Sequence, residues 1–400
     1  MGGVSNEPGG QAWRKQQQQS LLAFAAASRV DGGFAWLDAQ GRPDPAKNLE
    51  LWINARMTYV FSLASLQGAS TDLATHGVRS LTTTFHDDAF GGWFAEVDTS
   101  GIPIRSSKDC YEHSFVVLAA ASATLANIPG GRELLSEALA VHEIRFWDEN
   151  AGACSESWDR TWQEPEDYRG ANSNMHTVEA YLFAADATGE DVWLQRAASI
   201  CSVLIAHARA NEWRLPEHYT SSWRPVMDYN VDRPADPFRP FGATPGHAFE
   251  WARLLLQVAA SLPDPEPWMR EAAEALFAQA VADGATGAPG LPYTTDWSGV
   301  PVVAERFHWV MCEAVMAADA LGREDNAYAA LADRWWRVID EHFVDPSGGS
   351  WFAELSPTMG PSSRTWNGKP DAFHIYNAVT LPDLPLAPTA AITLRTEPTS

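Results

Sequence analysis

The sequence lacks the features that mark membrane proteins and nucleic-acid-binding proteins. No apolar run comes near the roughly 18 residues that a membrane-spanning helix needs. Basic residues are scarce, with 28 Lys and Arg against 51 Asp and Glu, so the formal net charge is −23. Because binding to a phosphate backbone requires a basic surface, this balance argues against a nucleic-acid partner. We therefore predict neither a membrane partner nor a nucleic-acid partner.

Cysteine is also scarce, and its spacing favours free thiols. The chain contains four cysteines, none of them in a CxxC pair: Cys110, Cys154, Cys201 and Cys312. The first residues show no basic segment followed by an apolar one, which is the pattern of a secretion signal. These observations predict reduced cysteines in a cytoplasmic protein.

Glycine–aromatic phrases return at a regular interval, which indicates an internal repeat. Three strong copies and two weaker ones stand at residues 32–38, 91–98, 348–355, 152–156 and 290–294. Neighbouring copies lie about 60 residues apart, and one long interval has room for a further copy. We place that missing copy in residues 213–223, so the sequence predicts six units.

Each predicted unit joins a helix with one polar face to a helix that is apolar nearly all round. Helices of the first kind lie at the surface and those of the second kind are buried. The first kind is predicted at 133–146, 191–208, 268–281 and 326–343, and the second at 51–66, 109–125, 172–187, 247–260, 306–321 and 371–379. Repeats that cannot bury their own apolar faces share one core. The predicted fold class is all-α, an (α/α)6 barrel of six inner and six outer helices.

The barrel is expected to use the whole chain as one unit. We predict a single catalytic domain over residues 1–400, with a loose N-terminus at 1–10 and a Pro-rich tail after residue 381 that forms no clear element. A helix is predicted at 12–28. The 18 tryptophans, together with Tyr and Phe, suggest aromatic walls of the kind that suit sugar rings.

Polar side chains stand near the start of every predicted inner helix. Because a glycine–aromatic hairpin precedes each inner helix, all six N-termini are expected at one end of the barrel. The side chains are Arg56, Tyr111, His113, Asn172, His176, His247, Glu250, His308, Trp309 and His374. One buried histidine alone is as often structural as functional. Recurrence in every unit favours a functional pocket at this end.

His247 shows the pattern most clearly. Pro245 and Gly246 turn the chain, so His247 lies in the first turn of an apolar helix. Free N–H groups and the positive end of the helix dipole lie beside it. Glu250 follows three residues later on the same helix face. We predict that Glu250 fixes the tautomer of His247.

Five motifs carry a resemblance to a known family. They lie at residues 52–58, 108–111, 172–180, 239–251 and 366–374, and the Arg-Pro…Thr-Pro-Gly-His…Glu-Trp phrase at 239–251 is the most specific. In this order they resemble the N-acylglucosamine 2-epimerase superfamily, and within it the aldose–ketose isomerase branch. The resemblance implies an (α/α)6 barrel, in agreement with the repeat count.

The resemblance also implies roles for individual residues. It places the general acid and base on His247 and His374, and a third pocket histidine on His176. It implies that Arg56 contacts sugar hydroxyls, and the other matching substrate-binding positions are Tyr111, Asn172, Arg239, Glu250 and Trp309. One departure stands at Met311, where relatives commonly have glutamine, and it bears on fine specificity.

The implied reaction interconverts D-mannose, or a related aldose such as D-lyxose, and the ketose D-fructose through an enediol. A base of near-neutral pKa must take the C2 proton, and histidine meets this need. We expect His374 to be that base and His247 to open the sugar ring, with Arg56 or Arg239 stabilising negative charge on the enediol. Since side chains perform every proton transfer, we predict no metal and no cofactor.

Several alternatives remain open on the sequence alone. A sugar 2-epimerase or a sulfoquinovose isomerase would use the same scaffold. A glycoside hydrolase or lyase would need two carboxylates flanking a bond, for which Glu179, Glu250 and Glu313 are candidates. A metal-dependent isomerase would use His176, His247, Glu250 and His374, although no tight ligand spacing such as HExxH is present. A non-catalytic sugar-binding protein would keep the aromatic residues alone. Oligomeric state is not predicted.

Overall fold

A computed structural model describes residues 7–323 and 325–396 of the chain. Its helices alternate between two concentric rings. They are α1 (Gln11–Ala26), α2 (Leu51–Leu66), α3 (Asp72–Thr83), α4 (Cys110–Leu125), α5 (Gly131–Val141), α6 (Ala171–Thr188), α7 (Asp191–Ala210), α8 (Pro245–Ser261), α9 (Trp268–Gly284), α10 (His308–Gly322), α11 (Asn326–Val338), α12 (Phe373–Thr380) and α13 (Ala390–Thr396).

The even-numbered helices from α2 to α12 form the inner ring. Each contacts the next along the chain, and α12 contacts α2, which closes the ring. Every residue of α2 from Leu51 to Ala64 is buried, as expected for a helix enclosed on all sides. The odd-numbered helices from α1 to α11 pack outside, and α3 buries one face through Ala74, Val78 and Leu81. This arrangement confirms the predicted (α/α)6 barrel.

Short antiparallel strands connect the helices at one rim of the barrel. They are β1 (Arg29–Val30), β2 (Gly33–Phe34), β3 (Leu49–Glu50), β4 (Glu96–Val97), β5 (Pro103–Arg105), β6 (Lys108–Asp109), β7 (Trp147–Asp148), β8 (Ala153–Cys154), β9 (Ser157–Trp158), β10 (Arg169–Gly170), β11 (His218–Tyr219), β12 (Thr294–Thr295), β13 (Pro301–Val303), β14 (Arg306–Phe307) and β15 (Glu354–Leu355).

Backbone pairing between neighbouring units aligns the inner helices. The two residues before an inner helix pair with the hairpin of the following unit, as in β3 with β4, β6 with β9, β10 with β11 and β14 with β15. Ala243 and Thr295 form the corresponding bridge before α8. The amide of Lys369 donates to the carbonyl of Leu37 at 2.9 Å, so the last unit is tied to the first. All inner N-termini therefore open on the same rim.

The unit expected within residues 213–223 is present. Tyr219 bridges to Pro225, in the same way that Leu37 bridges to Pro43 and Leu355 to Pro361 in other units. This hairpin lacks the glycine pair of the strong copies. Trp213 and Trp223 take the left-handed conformation with φ of 64° and 59°, which glycine adopts more easily.

Two regions differ from the predicted elements. The outer helices predicted to run to residues 146 and 343 end as α-helices at Val141 and Val338, and single π-helical turns, His142–Phe146 and Ile339–Phe343, follow them. The tail, for which no element is predicted, contains the 3₁₀ turn Leu381–Asp383 and helix α13, which packs against α2 and α4. A helix this short forms because packing buries Ala391 and Leu394, which local propensity cannot signal.

Of the predicted loose N-terminus at 1–10, residues 1–6 lie outside the described residues. Residues 7–10 form a turn that leads into α1. Among the described residues, no helix combines the length and the apolar character that crossing a membrane requires.

Candidate active site

A cavity of about 680 Å³ opens at the rim where the inner helices begin. Its wall contains every predicted site residue except Arg239: Arg56, Tyr111, Asn172, His176, His247, Glu250, Trp309 and His374. Further wall residues include Trp52, Phe238, Tyr293, His308, Trp366 and Asp371. The structure thus brings side chains from all six inner helices, or from the residues directly before them, into one pocket.

The first histidine of the pocket, His247, is held by a glutamate from outside its own helix. Its Nδ1 lies 2.9 Å from Oε1 of Glu217, which directly precedes β11 and is 4% exposed. The prediction that Glu250 fixes the tautomer of His247 is wrong. Glu250 instead turns towards Arg253, whose Nη2 lies 3.5 Å from Glu250 Oε1. Sequence spacing within one helix cannot reveal a partner that a distant hairpin supplies.

The second histidine, His374, is held by a glutamate on the neighbouring inner helix. Its Nδ1 lies 2.9 Å from Oε1 of Glu313, and the other oxygen of Glu313 accepts from Nε of Arg253 at 3.0 Å. Burial alone would raise the pKa of Glu313, but Arg253 and His374 outweigh it and the pKa is lowered. Because the carboxylate is ionised, Nδ1 of His374 carries a proton, and Nε2 is left with the lone pair that a base needs.

The state of His374 suits a base. Burial lowers the pKa of His374, and the hydrogen bond to Glu313 partly offsets that effect. The imidazole is therefore neutral at neutral pH. The indole of Trp309 lies between the two histidines, with ring centroids 5.2 Å from His247 and 5.7 Å from His374. The pocket consequently has one carboxylate-held imidazole on each side of an aromatic wall.

Arg56 supplies the positive charge of the pocket. Its Nη1 donates to Oδ2 of Asp371 at 3.2 Å and its Nη2 donates to the hydroxyl of Tyr111 at 2.9 Å. The guanidinium carbon also lies 4.3 Å from the ring centroid of Phe115. Burial raises the pKa of Tyr111 to about 12, although Arg56 acts in the opposite direction. The Tyr111 hydroxyl is therefore neutral, and its proton remains available to a substrate oxygen.

Three buried glutamates share one arginine beneath the pocket. Arg253 contacts Glu313, Glu250 and Glu179, at distances of 3.0, 3.5 and 3.8 Å. One positive charge cannot keep three buried carboxylates ionised. Accordingly burial raises the pKa of Glu179 to about 7 and that of Glu250 well above its ordinary value. Glu250 is the member of this group that reaches the pocket wall, and burial favours its protonated form.

Several polar atoms of the pocket wall have no partner within the described protein. Asn172 Oδ1, His176 Nδ1, Glu250 Oε2 and Arg56 Nε are buried without a hydrogen bond. The nearest carboxylate oxygens to His176 Nδ1 are 3.7 Å away, beyond hydrogen-bond length. Burial and the nearby Arg56 hold the pKa of His176 well below its ordinary value, so its ring is neutral. Unpaired buried groups are costly and favour a polar ligand.

Arg239 is not brought together with the histidines. It lines an adjoining cavity of about 1130 Å³, which shares Tyr111, Asn172 and Phe238 with the main pocket. Its guanidinium donates twice to Glu166, at 2.7 and 2.9 Å, and lies 4.1 Å from the ring centroid of Tyr168. Its role in substrate binding remains a prediction.

Two of the histidines near the starts of inner helices form hydrogen bonds with the backbone. His113 lies away from the pocket, where its Nδ1 bonds the carbonyl of Asp109 at 2.8 Å and its Nε2 accepts from the amide of Trp93. His308 lines the pocket and bonds the carbonyl of Ala353 through Nδ1 at 3.1 Å. Burial lowers the pKa of His308 to about 4.

Sequence reasoning missed Glu217, and a signal for it exists. The hairpin residue whose carbonyl accepts from the first amide of an inner helix is Ala95, Glu156, Glu217 or Ala353 in different units. At this position the side chain of Glu217 reaches Nδ1 of His247, which lies in the pocket wall. A glutamate at a repeat position that two other units fill with alanine is therefore a signal, and Glu156 carries the same signal in its own unit. Arg253, one turn after Glu250, gave no such signal.

The acidic cluster beneath the pocket does not favour a metal ion. Ligand atoms of His176, Glu179 and Glu250 lie within 4.8 Å of one another, as do those of Glu250, Glu313 and His374. However, Arg253 contacts all three glutamates, and its charge repels a cation from the space that they share. The three carboxylates are thus suited to binding Arg253 and protons, and not a metal ion.

Comparison with known proteins shows the family of this chain. The sequence model of the N-acylglucosamine 2-epimerase (GlcNAc 2-epimerase) family matches residues 32–378. A D-mannose isomerase of Thermobifida fusca is 49% identical over 394 residues, covering 96% of this chain and 97% of the relative. A D-mannose isomerase of Pseudomonas cannabina pv. alisalensis is 43% identical over 399 residues, covering 96% and 95%. A crystal structure of a D-mannose isomerase superposes with a TM-score of 0.87 at 26% identity, covering 93% and 97%.

The fold, the paired histidines and these relatives together define an isomerase. The chain belongs to the N-acylglucosamine 2-epimerase family.

Proposed function

We propose that this protein interconverts D-mannose and D-fructose, moving a proton between C2 and C1 through an enediol without metal or cofactor. One observation carries the proposal. His247 and His374 face the same pocket, and a buried glutamate holds the Nδ1 of each at 2.9 Å. A glutamate at Nδ1 leaves Nε2 as the proton-accepting atom of each ring.

The proposed reaction has two stages. His247 first removes the C1 hydroxyl proton and returns a proton to the ring oxygen, which breaks the C1–O5 bond and gives the open-chain aldehyde. His374 then takes the C2 proton as the C1 carbonyl becomes the enediol, and it delivers a proton to C1 as the C2 carbonyl forms. The proton on O2 moves to O1 in the same stage. No net oxidation or reduction occurs, since the two carbons exchange oxidation levels.

The remaining wall residues are proposed to bind the sugar. Tyr111 and Arg56 donate to the oxygens that gain negative charge near the enediol. Glu250, as a neutral acid, donates to a sugar oxygen, while Asn172 Oδ1 and His176 Nδ1 pair with hydroxyls. Trp309 provides the flat surface on which the sugar rests.

Three of the alternatives are weaker on specific grounds. Hydrolysis would need two carboxylates across a bond, but of Glu179, Glu250 and Glu313 only Glu250 reaches the wall, and the wall carboxylate of Asp371 is paired with Arg56. A sulfonate would need a free cation, and the pocket's Arg56 is paired with Asp371. A protein that only binds sugar has no need for two glutamate-held histidines.

The 2-epimerase alternative is the nearest one, because an epimerase would use the same histidines. Epimerisation requires a proton to return to the opposite face of C2, and isomerisation requires it to reach C1. The names of the two similar relatives favour isomerisation. A single catalytic domain over residues 1–400, a cytoplasmic location and a monosaccharide substrate remain part of this proposal.

The test is to incubate the protein with D-mannose in deuterated water and follow the products by NMR. We expect fructose as the first product, with partial deuterium at C1 because His374 exchanges its proton with solvent. Glucose labelled at C2 as the first product would identify a 2-epimerase. Absence of any reaction with mannose, tested beside D-lyxose and sulfoquinovose, would contradict the substrate assignment while leaving the fold untouched.

A further inference from the structure

A second cluster of reactive side chains lies in the core, apart from the pocket wall. It consists of Cys110 at the start of α4, Cys154 in β8 and His142 in the π-helical turn after α5. All three side chains are fully buried. Their ligand atoms, the two sulfurs and an imidazole nitrogen, lie within 4.8 Å of one another. Single π-helical turns often mark functional positions in proteins.

Comparison with other units shows that an apolar core would fill these positions differently. Cys154 pairs with Trp147 in its hairpin, and the residues in the same place elsewhere are Trp93 and Trp351. His142 begins its π-helical turn, whereas Ile339 begins the other one. In this unit two ligating side chains therefore replace residues that are large and apolar in the others.

The surrounding contacts fix the two cysteines in place. The side chain of Asn174 accepts from the amide of Cys154 at 2.8 Å and donates to its carbonyl at 3.1 Å. The amide of Cys110 donates to the carbonyl of Glu156 at 2.7 Å. The backbone of both cysteines is thus held in place without a ligand. This preorganisation reduces the entropy that is lost when a ligand binds.

The histidine of the cluster lacks a full set of partners. Nδ1 of His142 lies 3.4 Å from the hydroxyl of Tyr181, which is also 3.8 Å from Sγ of Cys154. Among the described residues, Nε2 of His142 is buried without a hydrogen-bond partner. Leaving a buried polar atom unpaired is unfavourable, so this nitrogen favours a bound ligand.

The side-chain types of the cluster suit a thiolate-preferring metal ion. A thiolate and a neutral imidazole are the forms in which cysteine and histidine bind metals. Thiolate ligands select ions such as Zn²⁺ and Cu⁺ over Mg²⁺ or Ca²⁺.

We propose that Cys110, His142 and Cys154 bind one thiolate-preferring metal ion, with Zn²⁺ as the expected occupant. Three atoms no more than 4.8 Å apart can share a centre about 2.8 Å from each, so inward shifts of about 0.5 Å for sulfur and about 0.7 Å for nitrogen reach Zn–S and Zn–N bond lengths. Tyr181 is the hydroxyl nearest to a fourth ligand position. Both cysteines bind as thiolates, so metal binding releases their thiol protons to solvent.

The proposed ion has a structural role and is independent of the proposed sugar chemistry. It would tie the first residue of α4 to the hairpin and to the outer π-helical turn, and Tyr111 of the pocket wall follows Cys110 directly. This role differs from a catalytic metal, because the ligand atoms do not line the pocket.

The experiment measures metal content in the full-length protein. The wild type and two variants are denatured and refolded in reducing buffer with Zn²⁺, dialysed, and analysed by mass spectrometry for bound zinc. We expect about one Zn²⁺ per chain for the wild type and a loss of at least tenfold for Cys154→Ala. Cys201→Ala is the matched control, since Cys201 is equally buried in α7 and belongs to no such cluster, and it should retain the metal.

A second readout covers the case in which Cys154→Ala fails to fold. The wild type refolded with Co²⁺ should show the intense near-ultraviolet absorption of cobalt–thiolate bonds, and His142→Asn should weaken it. Wild-type protein without bound zinc and without this absorption would overturn the proposal. Equal metal content in Cys154→Ala and the wild type would do so as well, and so would a disulfide between Cys110 and Cys154 in the isolated protein.

Discussion

In both histidine–glutamate pairs of the pocket, a glutamate oxygen contacts Nδ1 of the histidine. The two glutamates differ in their other partners. Glu313 lies on inner helix α10, and its second oxygen accepts from the buried Arg253. Glu217 precedes a two-residue strand on the rim, and no described ion pair other than that with His247 involves it. His374 is therefore fixed from the centre of the barrel, and His247 is fixed from its edge.

This difference suits two different tasks. A base that removes a carbon-bound proton needs a rigid position and a defined protonation state. His374 has both, because its glutamate is ionised by Arg253. Ring opening moves protons between oxygens, which is an easier transfer, and His247 at the rim is sufficient for it. The predictions below test this division, beginning with the largest expected effect.

Replacing the histidines themselves should separate the two tasks. His374→Asn should lower kcat by at least about 10²-fold while sugar binding stays largely intact, because the pocket keeps its shape and loses its base. His247→Asn should turn over slowly, with ring opening now limiting. The primary isotope effect of C2-deuterated mannose on kcat/KM should then fall towards one. A full isotope effect in His247→Asn, or more than about a tenth of wild-type rate in His374→Asn, would contradict the division.

The glutamates offer a matched pair of substitutions. Glu313→Gln should lower both activity and stability, because Arg253 loses a charged partner, and we expect a loss of about 2 kcal/mol in the free energy of unfolding. Glu217→Gln should lower activity about tenfold by loosening His247, with a smaller stability loss of about 1 kcal/mol. Urea unfolding and steady-state kinetics of both variants provide the comparison. Equal stability losses would show that Arg253 does not distinguish the pairs.

Arg56 should affect both stages to a similar degree. Arg56→Ala removes the donors that orient the sugar and stabilise the enediol, so kcat should fall and KM should rise, each by about tenfold. Tyr111→Phe should have a smaller effect, since it removes one donor to the sugar and one acceptor for Arg56 and retains the ring. An unchanged kcat/KM in Arg56→Ala would exclude it from the site.

The smallest expected effect is a shift in the pH profile. His374 must be neutral to act as a base, so kcat should be full above its pKa and fall as pH drops through it. Because burial lowers this pKa, the acid limb should lie below pH 6.5. Glu313→Gln removes a group that raises the pKa of His374, so the limb should move to still lower pH. A limb in the wild type above pH 6.5 would contradict the assignment of His374.

The repeat explains how much of the fold could be predicted. Each glycine–aromatic phrase indicates a turn and a buried aromatic contact. Because both features are local, they recur in each repeat unit. They predict the barrel and place His247 and His374 on one rim. The π-helical turns and α13 depend on packing between units, and no short stretch of sequence records that packing.

The site was predictable to the same extent. Residues near the N-termini of inner helices lie at the same end of the barrel. Their positions in the sequence therefore predict that Arg56, His176 and His374 lie close together. The partners of the histidines come from elsewhere: Glu217 from a hairpin, and Glu313 from the middle of α10. Contacts between units decide which carboxylate binds which imidazole. Sequence spacing within one helix predicted Glu250 as the partner of His247 instead.

The central claim is that a single base, His374, carries the proton between C2 and C1. The most direct test is to convert C2-deuterated mannose in ordinary water and measure deuterium at C1 of the fructose after brief turnover. The account predicts partial retention on one face of C1, with the remainder washed out by exchange at His374, and it predicts loss of both signals in His374→Asn. Complete retention without exchange would indicate a direct hydride shift and contradict the account.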